Sequence, residues 1–455
     1  MSLASPASPS AATPSARAPL KPLDAALAEL LAHAAPLAGL ETVATFDADG
    51  RVLAQDLYSS LEVPAHDNSA MDGYAVRCAD WPDAALLDGA PLDTAPLDTA
   101  PLDTAPLDTA PLDTAPLDTA PPLPVSQRIA AGGSGQALAP LSVARIFTGA
   151  PIPPGADAVV MQEDCEASAA GVRIRVRPEP GQWIRRRGED VAAGALVLPR
   201  GTRLTPAALG LAASIGFDRL QVVPLVRVAL LSTGDELVMP GEVAPADMRP
   251  GAIYNSNRFF LKALLQRLGC TVTDLGIVPD RLDATIAALE GASQQHDLIL
   301  TSGGVSVGEE DHIKPAVQAL GALNLWQIAI KPGKPFAYGR VGAAHFMGLP
   351  GNPVASFVSF LLLVRPFLLR LQGVAGVAPK TMTLTAHFDS PKADKRREFL
   401  RVKRNAAGGL DLFANQSSGV LTSAVWADGL VDNLPGQTIK HGDSVQFISF
   451  SELML

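Results

Sequence analysis

The sequence predicts a multidomain protein centred on a doubly wound α/β domain, with β-rich domains before and after it. Three observations carry this. From Val226 onward, strand-like apolar runs alternate with segments of helical periodicity, the pattern of a mostly parallel sheet covered by helices. Residues 146–200 instead show short apolar runs separated by Gly/Pro turns, and that texture returns past Pro379 as a separate C-terminal β domain. Finally, 455 residues exceed what one ordinary core organises, so two to four domains are expected.

The elements follow in order. Apolar residues at helical spacing over residues 23–33, with Pro36 beyond, predict a first helix, and a strand-and-loop region runs from there through Asp72. VRVALL (226–231) reads as a buried strand. Asn255 or Ser256 can cap a helix over 257–268 that stops at Gly269. TVTDLGIV (271–278) is a strand, 282–289 a helix and DLILT (297–301) a strand. A helix follows the glycine loop after it, LNLWQIAI (323–330) is a strand, and a last long helix starts near Asn352.

Composition removes several function classes. The formal net charge is −10 and no basic stripe is present, which argues against a general nucleic-acid binder. A local basic cluster can still hold a phosphate inside an acidic protein. Cys78, Cys165 and Cys270 are far apart and odd in number, without CxxC spacing, so neither a disulfide framework nor a zinc site is expected. The Ala/Ser/Pro-rich residues 1–20 lack an apolar signal core and read as a disordered tail. The longest apolar run, 354–364, is too short to cross a bilayer and ends at Arg365. A cytoplasmic protein without a membrane partner is the expectation. Over residues 91–120 the unit PLDTA occurs six times without deviation. A proline every fifth residue excludes helix interior and central strand, so the repeat reads as an extended, linker-like insertion; the alternative is a docking segment.

In an open α/β sheet, ligands bind beyond the carboxyl ends of the strands, and the unusual loops of this chain fall there. STGDEL (232–237) brings Asp235 and Glu236, and Asp280 follows the next strand. SGGVSVGEED (302–311) offers Gly303 and Gly304 for close backbone approach, the Ser302 and Ser306 hydroxyls, and the carboxylates Glu310 and Asp311. KPGKP (331–335) holds Lys331 and Lys334 three residues apart. LPGNP (349–353) places Pro350, Gly351, Asn352 and Pro353 at a helix start. Singly each has a plain explanation: a Gly-Gly turn, a solvated lysine pair, a helix-capping Asp. Together they describe amides, hydroxyls and lysines around an oxyanionic ligand, with Glu236, Asp280 and Asp311 as hard oxygen ligands for Mg²⁺. The residues alone reach Mg²⁺-assisted chemistry on a phosphorylated small molecule.

At these loops the sequence resembles the MoeA/gephyrin E-domain family, the molybdopterin molybdenumtransferases. The resemblance begins at DNSAMDGYAVR (67–77) and continues through RIFTGAPIPPGADAVVMQED (145–164) and RRRGEDV (185–191). It then takes in STGDEL, SGGVSVGEED, AIKPGKPFAYG and GLPGNPV. It implies an elongated, dimerising chain of four domains. Residues 21–57 and 192–222 would form a discontinuous first domain, and 58–191 a β-rich second domain containing the repeat. Residues 223–375 would form the molybdopterin-binding α/β domain and 376–455 the C-terminal β domain.

The implied reaction takes adenylylated molybdopterin and molybdate, cleaves the phosphoanhydride with Mg²⁺ and releases AMP. Ser302, Gly303, Gly304 and Ser306 match the family's pterin-phosphate loop. Glu236, Asp280 and Asp311 match its acidic, metal-associated positions, and Lys331 and Lys334 its molybdate- or phosphate-facing lysines. Asp72, Thr148 and Asp190 match second-domain residues that would close the partner subunit's cleft in a homodimer. Their plain alternatives are a turn before Gly73, a turn hydroxyl, and pairing of Asp190 with the arginines at 185–187. In REFLRVK (397–403) and NQSSGVLTSA (415–424), Arg401 and Ser417 or Ser418 match oxyanion contacts; the alternative for Arg401 is a surface strand residue.

His66 stands where a Phe commonly occurs, His312 where a Tyr does, and Ala355 where many members carry Ser. Transient contact with other cofactor-assembly proteins or apo-molybdoenzymes is a further implication. Two rival readings are the preceding adenylylation step and a non-catalytic carrier or scaffold. DNSAMDGYA, RRRGED and the C-terminal β domain disfavour the first; the intact set Glu236, Asp280 and Asp311 disfavours the second. Excision of residues 91–120 is predicted to leave activity intact, and a folded deletion variant that lost turnover would make the repeat functional.

Overall fold

A computed structural model describes residues 20–81, 121–304 and 312–454. The N-terminal tail, the PLDTA repeat and the loop residues 305–311 therefore lie outside the described residues. The chain forms two compact units. One takes in the described parts of residues 1–55, 199–209 and 218–455, the other those of 56–198 and 210–217.

The larger unit is organised by a six-stranded sheet. In chain order its strands are β1 (Arg227–Thr233), β2 (Thr271–Val278), β3 (Leu298–Ser302), β4 (Gly321–Gln327), β5 (Pro335–Val341) and β6 (Ala344–Leu349), arranged β2-β1-β3-β6-β5-β4. The first four in that order are parallel, whereas β6, β5 and β4 pair antiparallel. The expected parallel sheet thus carries an antiparallel extension. The two residues between β5 and β6, Gly342 and Ala343, leave room only for a hairpin reversal, not for a crossover helix.

Both faces of the sheet are covered, so its central strands are apolar on both sides. Alternate residues feed different cores. Val228, Leu230, Leu298 and Leu300 join one core with Leu261, Leu264 and Leu265 of the helix Asn257–Arg267. Ala229, Leu231 and Ile299 join the other with Leu289 of Leu282–Ser293 and Val317 of Ile313–Leu320. The helix expected over 282–289 runs one turn further, because Ala292 also buries.

The apolar run expected to end at Arg365 continues as the helix Pro353–Leu371, long and apolar enough by length and composition to cross a membrane, yet 94% buried in the fold. Arg365 does not interrupt it. Its guanidinium is inside the protein and donates to the Val377 and Glu452 carbonyls. Pro353 occupies the first helical turn, where its missing N–H is no loss.

LNLWQIAI is not one strand. β4 ends at Gln327, and Ile330–Lys331 pairs in parallel with Arg397–Arg404 of a second, C-terminal sheet. That sheet runs Ile330–Lys331, Arg397–Arg404, Gly429–Asn433, Ser444–Ser449, Met382–Thr385, with Leu410–Leu412 also on Arg397–Arg404. The break occurs because Ile328 N–H donates back to the Lys334 carbonyl and Ala329 N–H to Lys21. The first helix, Leu23–Ala32, buries Leu23, Ala26 and Leu30 against the same core as the long apolar helix.

The smaller unit holds a four-stranded sheet ordered Val125–Ile129, Val143–Ile146, Gly73–Val76, Ala158–Met161. Gly73 is required there by contact, since a Cβ would lie 1.9 Å from the Val160 carbonyl oxygen. Cys78, Cys165 and Cys270 are free thiols. Burial pushes the Cys270 thiol up to about 12, so it remains protonated and inert at neutral pH.

Phe367 is fully buried and meets the His345 ring edge-on at 4.8 Å. Phe367→Ala is predicted to cost about 3–5 kcal/mol. Denaturant unfolding checks this, and a loss below ~1 kcal/mol would mean the core refills the cavity.

Candidate active site

The sheet order creates a switch point. From β1 the chain moves outward to β2, then returns past β1 to β3. Loops leaving the carboxyl ends of β1 and β3 therefore diverge around a crevice, the place where open α/β sheets bind ligands. The strand ends approach closely: a Cβ on Gly303 would lie 3.2 Å from the Thr233 carbonyl oxygen. At Gly304 φ is +66°, and a Cβ would sit 2.6 Å from Ile313 Cγ1. Only glycine fits that turn.

A cleft of about 1140 Å³ opens at this edge. Glu236 and Asp280 line it from the ends of β1 and β2, and Ser302, Gly303 and Gly304 from the end of β3. Lys331 and Lys334 line it from the turn before β5; Pro350, Gly351, Asn352 and Pro353 from the loop after β6. Ser418 reaches it from the C-terminal region. Residues far apart in sequence thus share one cavity. Ser306 and Asp311 lie outside the described residues.

Ser302 does more knitting than presenting. It is buried, and its hydroxyl accepts from Asn257 Nδ2 at 2.8 Å and donates to the Pro350 carbonyl at 3.3 Å. Asn257 Nδ2 also donates to the Gly351 carbonyl at 2.7 Å, tying the glycine loop, the LPGNP loop and a helix start together. Gly303 N–H donates to the Leu349 carbonyl, so that amide is already used, while Gly304 N–H has no backbone acceptor among the described residues. The helix start is capped by Asn255, whose Oδ1 accepts from Arg258 N–H at 3.3 Å, while Ser256 makes no side-chain cap.

The two lysines differ. Lys331 Nζ lies 2.7 Å from Glu398 Oε1 and 3.4 Å from Asp394 Oδ2. Lys334 has no carboxylate partner among the described residues. Arg396, also on the cleft wall, chelates Asp394 through Nε and Nη2 at 3.0 and 2.8 Å. That hydrogen bonding holds the Asp394 carboxyl far below its ordinary range.

Arg401 is neither the oxyanion contact nor the surface residue that the sequence suggests. It is 1% exposed, neither a surface strand residue nor part of the cleft lining. Its guanidinium donates to Ser423 Oγ, Phe399 O and Ser417 O, and its backbone exchanges hydrogen bonds with the Gln416 side chain. It braces the 416–418 loop from behind, and burial lowers it to about 10. Ala355 does line the cleft, whereas the Ser356 hydroxyl turns toward Ser302 at 3.4 Å.

Within the smaller unit, Asp72 and Thr148 come together. Asp72 Oδ1 accepts from Thr148 N–H at 2.7 Å and from its hydroxyl at 2.9 Å. The backbone bond foremost lowers the Asp72 pKa. Asp190 is exposed and does not pair with the neighbouring arginines: Arg186 bonds Asp67 at 2.8 Å, and Arg187 pairs with Glu62. The three family motifs of this unit converge on the short strand Asn68–Ser69. It pairs with Ile184–Arg185 and exchanges backbone bonds with Gly149 and Ala150.

Sequence reasoning missed Arg396, Asn257 as a cleft residue, Gln416 and Glu398. Arg396 stands one residue ahead of the quoted REFLRVK string. Gln416 and Glu398 lie inside quoted strings but carry no local signal of their roles. Among the described residues no three His, Cys, Asp or Glu side chains gather as a ready-made metal site. Glu236 and Asp280 are two hard oxygen donors on one wall system, a donor set that suits Mg²⁺, which binds one or two carboxylates plus substrate phosphates.

Comparison with known proteins agrees with this architecture. Residues 21–216 match the family described as MoeA N-terminal region (domain I and II). Residues 229–370 match the probable molybdopterin binding domain, and 383–450 the MoeA C-terminal region (domain IV). A molybdopterin molybdenumtransferase of Haemophilus influenzae is 40% identical, covering 78% of this chain and 79% of that protein. Molybdopterin molybdenumtransferase 2 of Mycobacterium tuberculosis is 35% identical over 89% and 93%. Two crystal structures of a molybdopterin biosynthesis MoeA protein from Pyrococcus horikoshii cover 95% of the chain. Their TM-scores are 0.74 and 0.68, at 25% and 29% identity, with 100% and 99% of those chains covered. Domain order, sequence and fold together establish that the chain belongs to the MoeA family of molybdenum cofactor biosynthesis.

Proposed function

We propose that the protein is a molybdopterin molybdenumtransferase, inserting molybdate into adenylylated molybdopterin in a Mg²⁺-dependent reaction that releases AMP. The observation that carries this is the single cleft in which Glu236 and Asp280 share walls with Lys331, Lys334 and Gly304. Carboxylates and cations in one cavity suit a phosphoanhydride whose cleavage is mainly positioning and charge neutralisation. Glu236 and Asp280, joined by Asp311 from outside the described residues, would hold Mg²⁺. When bound, the ion supplies neutralisation of phosphate charge. Lys334 draws the anion in, and Lys331 and Arg396 stand on the wall as donors already paired with carboxylates. The Gly304 amide and Ser418 complete the oxyanion lining. The volume, about 1140 Å³, accommodates a dinucleotide-sized substrate.

The reading extends to a cytoplasmic homodimer with the four-domain layout set out above. In it Asp72, Thr148 and Asp190 close the partner subunit's cleft, and assembly proteins or apo-molybdoenzymes are met transiently. The Asp72–Thr148 hydrogen bonds support this by holding the carboxylate ionised and oriented.

Purified protein given adenylylated molybdopterin, molybdate and Mg²⁺ is predicted to release AMP only when molybdate is present, and the product should reconstitute an apo-molybdoenzyme. Binding without AMP release in folded protein would instead indicate a carrier. Asp280→Asn and Asp311→Ala are each predicted to retain pterin binding while AMP release falls roughly a hundredfold, the scale of losing a transition-state charge contact. Normal turnover in both would contradict the metal role.

A further inference from the structure

Lys331 reaches the cleft wall while its ammonium contacts a carboxylate buried behind it. Glu398 is only 4% exposed, on a strand behind the cleft wall, yet it carries a carboxylate. Backbone register makes the contact unavoidable. Ile330–Lys331 leaves the α/β sheet to pair with Arg397–Arg404, and Lys331 stands opposite Glu398. On the other side Glu398 stands opposite Asn433, itself buried, whose Nδ2 donates to Oε2 at 3.4 Å. A buried carboxylate without its cation is strongly unfavourable, so Glu398 cannot readily release Lys331. The lysine side chain is nevertheless 42% exposed and on the cleft wall. Its ammonium is therefore fixed in place with its charge already balanced. Arg396 is balanced by Asp394, which also lies 3.4 Å from the Lys331 ammonium, so the two cations share two carboxylates, with Glu398 the nearer to Lys331. Lys334, three residues on and in the same cavity, has no such partner among the described residues.

We propose that Glu398 is a positioning residue that pins Lys331 and cancels its charge, leaving Lys334 as the lysine that gives the cleft its net attraction for anions. The anion-binding half of this rests on the proposed function; the pinning half does not. Lys331 then offers directed N–H donors without over-holding a charged ligand. Ground-state affinity would be set by Lys334, while the geometry needed in the transition state would be set by Lys331.

Two measurements on the full-length chain test the two halves separately. Per-residue acetylation rates, read by mass spectrometry, should show Lys334 modified at least fivefold faster than Lys331. In Glu398→Gln, which keeps an acceptor oxygen but removes the charge, that gap should close. Equal rates in the wild type would overturn the pinning. Calorimetric titration with AMP, and separately with molybdate, should show Lys334→Gln at least tenfold weaker. Glu398→Gln should bind at least threefold tighter, with a steeper salt dependence. The charge-neutral double variant K331Q/E398Q should stay within threefold of wild type in affinity while its kcat for AMP release falls. A purely structural Glu398 would shift the unfolding midpoint and leave Kd unmoved, which would overturn the charge-cancelling role. So would a double variant as weak as Lys334→Gln. If Glu398→Gln fails to fold, the double variant, which leaves no unpaired buried charge, carries the comparison. A wild type that shows the acetylation gap but binds neither AMP nor molybdate would sink the proposed function and leave the pinning standing.

Discussion

Everything in the larger unit depends on β1 lying between β2 and β3 with all three strands parallel. Parallel pairing sends their carboxyl ends to one edge, and the reversal of direction around β1 keeps the emerging loops from covering one another. The arrangement holds only because both faces of the sheet are dry. Successive residues of β1 feed alternate cores, so a one-residue slip would move every side chain of the strand into the wrong layer. The long helix Pro353–Leu371 supplies much of one layer. Because it begins immediately after the LPGNP loop, burial of the helix also fixes one wall of the cleft. Packing and site geometry here share the same residues.

The electrostatics of the cleft are more restrained than a count of its charged residues suggests. Lys331 and Arg396 are both matched by carboxylates, and Glu236 and Asp280 add negative charge. A site crowded with unpaired cations would hold every phosphate that entered, including product, since uniform binding lowers KM without raising turnover. Paired cations keep their directional hydrogen bonds and lose most of their long-range pull.

The parts of the fold that were legible in the sequence are those encoded locally. β1 to β3 could be placed because buried parallel strands are nearly continuous apolar runs, and the helices between them show helical spacing, the first of them stopping at Gly269. The cleft loops were legible because each is a contiguous string at a strand end. What escaped depends on partners distant in the chain. LNLWQIAI reads as one strand, but Lys21 and Lys334 take its backbone bonds at the middle and send Ile330–Lys331 to another sheet. Arg401 looks like a candidate ligand contact or a surface cation. Only the fold around it shows that Nε, Nη1 and Nη2 each donate to a protein acceptor. Gly303 lines the cleft as its loop suggests, yet its amide donates to the Leu349 carbonyl.

Glu398 shows most clearly where local reading ends. In REFLRVK it is one acidic residue among cations on an apparent surface strand, and charge pattern alone would leave it in solvent. Its burial follows from the second sheet accepting Ile330–Lys331 at its edge, which covers one flank of Arg397–Arg404 while Gly429–Asn433 covers the other. Once both flanks are covered, a carboxylate at that register needs a cation, and the residue opposite is Lys331. The site lysine and the buried acid are thus consequences of one strand crossing between sheets. A substitution that altered the crossing would move a cleft residue without touching the cleft, so the C-terminal β region belongs to the site through its hydrogen-bond register as well as through Arg396 and Ser418.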